Sequence, residues 1–113
     1  MHLLADDEWN AAKDAVLWEP ASFQEVGFVH LSTPQQVHLP ANGLYQGRTD
    51  LVALLVDAGK VDAEIRWEPG APDDPEQILF PHLYGPLPVR AVIGSVRYKP
   101  DADGRFSEFT GYS

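Results

Sequence analysis

The run Leu51-Val52-Ala53-Leu54-Leu55-Val56, closed by Asp57, constrains this chain more than any other stretch. It is apolar without alternation, too short for a typical helix, and bounded by turn residues (Gly47-Arg48-Thr49-Asp50 before, Ala58-Gly59-Lys60 after). Such a segment has no polar face to offer water. It predicts a central strand covered on both sides. At 113 residues the chain is long enough for one domain, 1–113, that buries roughly 65% of its unfolded surface.

The remaining elements follow from local chemistry. Asp6 suits a helix N-cap, and the helix it opens reads through Ala15, with Trp9, Ala12 and Val16 as the inward stripe until Glu19-Pro20 stops it. Gly27 admits a short strand, Phe28-Val29-His30-Leu31. Ser32 and Thr33 then read as caps for a helix from Pro34 to about Tyr45, with Val37, Ala41 and Leu44 inward and Pro40 interrupting it. Glu64 to Glu68 alternates and predicts a half-buried strand; Val89 to Tyr98 predicts the last one. Residues 70–77 read as an exposed loop, and 100–113 as a mobile acidic tail. The order predicts an α+β fold: a split, mostly antiparallel sheet with two or three helices packed on it.

Charge and composition exclude several functions. Seventeen acidic and eight basic residues give −9, and the basic ones are scattered, so the field repels a polyanion and no nucleic acid is expected as partner. No apolar run reaches membrane-spanning length. There is no cysteine, which removes disulfides and thiolate chemistry, and no secretory signal is visible, so a cytoplasmic location is expected. No metal site is expected.

Candidate site residues come from the strand that bears His30. Alternation puts Phe28, His30 and Ser32 on one face, an imidazole and a hydroxyl side by side. His82 and Tyr84 alternate within Pro81-His82-Leu83-Tyr84-Gly85-Pro86-Leu87-Pro88 and therefore share a side, where a ring and a phenol beside His30 make a nucleoside-sized pocket wall. Arg48 stands in a turn with a fork of donors suited to phosphate, and Glu68 ends its strand as an acid or base.

Trp9, the segment from Gly27 to Thr33, Gly47 to Leu51, Arg66-Trp67-Glu68-Pro69 and Phe80 to Pro88 together resemble domain-of-unknown-function family 952, a bacterial family with no established activity. The resemblance implies a fold like that of the ADP-ribosyltransferases, which split NAD at the nicotinamide–ribose bond, and a likeness to the RNA 2′-phosphotransferases. It implies a cleft in which His2 or His30 contacts a ribose hydroxyl, Arg48 holds a phosphate and Tyr84 lines a ring site. One departure stands out: nothing acidic lies between Ile78 and Ser95, so no late catalytic glutamate carries over. Three readings follow. The first is an enzyme acting on NAD, ADP-ribose or another phosphorylated ribose, with His30 and Arg48 catalytic and His2, Ser32, Glu68, His82 and Tyr84 binding. The second is a non-catalytic nucleotide or small-anion module. The third is a protein-interaction domain whose contact surface includes Leu83 and Leu87.

Overall fold

The computed structural model describes residues 1–70 and 76–109. Along the chain run β1 (His2–Ala5), α1 (Asp6–Ala12), β2 (Leu17–Trp18), α2 (Phe23–Val26), β3 (Val29–His30), α3 (His38–Tyr45), β4 (Leu51–Val56), β5 (Ile65–Pro69), β6 (Leu79–Leu83), β7 (Leu87–Pro88) and β8 (Val92–Arg97). Single 3₁₀ turns occupy Ala58–Lys60 and Val89–Ala91. Among the described residues this is a mixed α+β fold, with its strand pairs antiparallel and the sheet split into separate pieces.

The apolar run Leu51–Val56 is the middle strand of the first sheet, ordered β1-β4-β8. Its two faces feed two different cores. Leu51 and Ala53 pack with Val37, Ala41, Tyr98 and Phe106, whereas Val52 and Leu54 pack with Leu4 and the half-buried Trp9 and Trp18. The second sheet, ordered β3-β6-β5, buries Val29, Leu31 and Leu83 with Leu87 and Ala91. Trp18 and Val92 pack against both this core and that of Leu54. A third pairing, β2 with β7, joins Leu17–Trp18 to the proline-rich segment.

Several elements differ from the sequence reading for identifiable reasons. α1 ends at Ala12, so Val16 is 82% exposed instead of lying inward. Ala5 occupies the N-cap position, and its N–H is answered by the Glu8 carboxylate at 3.1 Å. The segment after Ser32 turns through residues 34–37 before α3 begins at His38. Pro40 thereby falls in the first helical turn, where its missing N–H breaks no bond. Leu44 is 74% exposed and does not join the core. Gly27 and Gly85 are among the glycines that geometry requires. Gly27 ends α2 at φ 80°, and a Cβ on Gly85 would lie 2.5 Å from the Ala63 Cβ.

The acidic segment expected as a mobile tail packs against α3 as far as Phe109; residues 110–113, and 71–75 of the expected loop, lie outside the described residues. Phe106 is buried, the Tyr98 hydroxyl donates to the Ser107 carbonyl at 2.6 Å, and Asn42 grips Phe106 by both backbone groups at 2.8 and 2.6 Å. Asn42, a poor helix former by itself, thus serves as a tether. Asn42→Ala is expected to cost about 2 kcal/mol, since it leaves buried backbone groups unmet. Urea unfolding, with amide exchange followed at Phe106, checks this: an unchanged exchange rate would refute the tether.

Candidate functional site

Two adjoining hollows of about 240 and 330 Å³ open where α3 lies over strands β1 and β3. They share His30, Ser32, Pro40 and Leu44. The smaller is also walled by His2, Glu8, Trp18 and Tyr45, the larger by Leu39, Ile78 and Phe80. One compartment therefore carries hydrogen-bonding groups and the other is apolar, with His30 and Ser32 between them. Neither wall includes a lysine or an arginine.

His2 is buried in β1, and its tautomer is dictated by its partners. The Trp18 indole can only donate, so the His2 Nε2 at 3.2 Å accepts, and Nδ1 carries the proton that it donates to the His30 carbonyl at 2.9 Å. Burial pushes its pKa down to about 4. Both nitrogens are thus occupied, and His2 shapes the wall with no ring atom left for a ligand. Ser32 is held by backbone bonds to Met1, whose buried amino group donates to its carbonyl at 2.6 Å. Burial lowers that amine to about 6.

His30 is the free imidazole. Its carbonyl is fixed by His2 and its strand by pairing with His82, while its ring is exposed to the hollows and has no hydrogen-bond partner among the described residues. Burial lowers its pKa. It meets an open site as an uncharged donor and acceptor near neutral pH.

A profile of the family described as "Protein of unknown function (DUF952)" matches residues 3–95. The chain belongs to this family. Similar to it are the X-ray crystal structure of protein CC0527 from Caulobacter crescentus (33% identity, TM-score 0.77, over 93% of this chain and 90% of that one) and the solution NMR structure of CC0527 (35% identity, TM-score 0.74, over 91% and 86%). No curated protein matches the chain.

In this DUF952 member, Glu68, His82 and Tyr84 are brought together with His30, but behind it. The Tyr84 hydroxyl donates to Glu68 Oε1 at 2.5 Å, and His82 Nδ1 lies 3.1 Å from the same oxygen. His82 is buried, stacked on Phe28 with centroids 4.2 Å apart, and edge-on to His30 at 5.2 Å. Hydrogen bonds from Tyr84 and then His82 hold the Glu68 carboxyl below the usual range, and the same bond to Glu68 raises the Tyr84 hydroxyl. These three side chains are absent from the walls of both hollows. Arg48 stands apart. Its guanidinium is forked onto Asp50 at 2.8 and 2.6 Å and stands 5.8 Å from the centroid of the Tyr45 ring, a wall of the smaller hollow.

Leu83 and Leu87 are fully buried, so the proline-rich segment does not present them to a partner protein. Among the described residues no group of three or more His, Cys, Asp or Glu side chains is placed to hold a metal ion, and no helix is long and apolar enough to cross a membrane. Sequence reasoning missed Trp18, Glu8 and Tyr45. Trp18 is delivered by a two-residue strand paired with β7, roughly 70 positions on, and no local pattern marks that contact. Glu8 was visible only as one of three acids opening α1.

Proposed function

We propose that this protein binds a small hydroxylated ring compound of the nucleoside class in the cleft beneath α3. Its hydroxyls would meet His30 and Ser32, and its ring would occupy the apolar compartment of Leu39, Ile78 and Phe80. The observation that carries this reading is the free imidazole of His30, set beside the Ser32 hydroxyl at the junction of a polar and an apolar hollow. Of the two histidines that an ADP-ribosyltransferase-like cleft would offer to a ribose, only His30 has nitrogens to give. NAD and ADP-ribose are weaker candidates than their nucleoside half, because no cation in the walls answers a pyrophosphate and Glu8 faces the space. Arg48 would reach a phosphate only by leaving Asp50.

Adenosine, ADP-ribose and NAD titrated into labelled protein at millimolar concentration test the proposal. Adenosine is expected to shift the signals of His30, Ser32 and Leu44, to bind more tightly than ADP-ribose, and to lose at least tenfold in affinity in His30→Ala, about 1.4 kcal/mol. Silence from all three compounds would refute the reading. Tighter binding of ADP-ribose, abolished by Arg48→Ala, would replace it with phosphate recognition.

A further inference from the structure

The Nε2 of His82 is buried and has no hydrogen-bond partner among the described residues, which in a folded protein calls for an explanation. Glu68 restricts what that atom is. A carboxylate accepts only, so His82 Nδ1 carries a proton toward it, and the Tyr84 hydroxyl donating to the same oxygen leaves Glu68 no way to turn aside. A second proton on Nε2 would be a buried N–H with no acceptor within hydrogen-bond distance among the described residues. The atom is therefore a bare lone pair, held in place by the stack on Phe28 and by the backbone pairing of His30 with His82. Edge-on to this ring stands His30, whose nitrogens are unpartnered among the described residues. Arg66, the nearby cation, is drawn away onto Glu64 and the face of Tyr84.

From this arrangement we propose that Glu68, Tyr84 and His82 are positioning residues for His30. Glu68 fixes His82 as its Nδ1–H tautomer, and the negative lone pair of His82 Nε2, in a ring 5.2 Å from that of His30 and not hydrogen-bonded to it, favours the His30 tautomer whose N–H lies on its side. The other His30 nitrogen is thereby presented to the cleft as an acceptor. The inference deepens the proposed ligand site and rests on His30 being its polar contact, but the tautomers exist without any ligand. It also gives Glu68, His82 and Tyr84 a function that does not require them to touch a ligand. A ligand hydroxyl arriving at His30 would then find a single, oriented acceptor in place of a ring that exchanges its two nitrogens.

Long-range nitrogen–proton correlation spectra of the ligand-free protein at pH 7.5 test this directly. His82 is expected with its proton on Nδ1, and His30 in one dominant tautomer. In His82→Phe, which keeps a ring to stack on Phe28 but has no acceptor, His30 is expected to become a mixture. Adenosine affinity should then fall about five- to tenfold. His82 protonated on Nε2 or on both nitrogens, or a His30 tautomer ratio unmoved by His82→Phe, would overturn the inference. If that variant fails to fold, the wild-type spectrum decides alone, because a mixed His30 there is equally fatal. Failure of adenosine to bind, with the tautomers as expected, would remove the ligand reading and leave the positioning network standing.

Discussion

Acidification from pH 7 to 5 is expected to cost the fold about 2 kcal/mol through His2 alone. In the unfolded chain this imidazole has its ordinary value of 6.5; in the folded protein burial lowers it to about 4. Between those values the unfolded state binds a proton that the native state refuses. Stability is therefore full above 6.5 and falls as the pH drops through the window. The buried Met1 amine, lowered from 8.0 to about 6, acts with the same sign one step higher, and His30 adds to the same slope. The carboxyl of Glu68 is lowered, so its contribution is lost only at more acid pH and leaves the pH 5 comparison clean. Urea unfolding at the two pH values measures the effect. His2→Gln, which keeps a donor and an acceptor but does not titrate, should lose about 2 kcal/mol of the dependence and leave the part carried by Met1 and His30. A variant with the wild-type slope would show that His2 is not the group responsible.

The second large effect is expected at Leu83. It lies at 0% exposure on the middle strand of the second sheet, paired with Val29 on one side and Ile65 on the other. Leu83→Ala removes most of a side chain from a site walled by strands, which cannot collapse onto the space left. About 3 kcal/mol of destabilisation is expected. Leu79→Ala, four residues earlier on the same strand and 48% exposed, should change stability by no more than about 0.5 kcal/mol. The pair is read by denaturant midpoints. Equal costs would contradict the placement of the core, and a loss below about 1 kcal/mol at Leu83 would mean the site repacks.

Burial by pattern was the legible part of this molecule. Leu51–Val56 announced a strand covered on both faces because nothing in it can face water, and alternation correctly grouped Phe28 with His30, whose rings meet at 4.8 Å. His82 and Tyr84 were rightly assigned to one side, since both reach the same Glu68 oxygen. The same alternation could not say whether that side faced a cavity or a neighbouring ring. That depends on Phe28 closing over His82, a contact between segments some 50 residues apart. Arg48 illustrates a second limit: its charge recommended it for phosphate, yet Asp50 two residues on takes both prongs of the fork. Helix ends were misjudged at the end of α1, which stops at Ala12 and not Ala15, and at the start of α3, which begins at His38 and not Pro34; its end at Tyr45 was read correctly, with Asn42 held inside it by both backbone groups of Phe106.

The bond from the Trp18 indole to His2 has a practical consequence. Of the three tryptophans, Trp18 alone lines the cleft and donates to an imidazole in it. Its excited state is therefore sensitive both to what enters the hollow and to the proton on that imidazole. The molecule contains its own optical reporter: emission from Trp18 registers occupancy and acid opening at one place, with no dye attached.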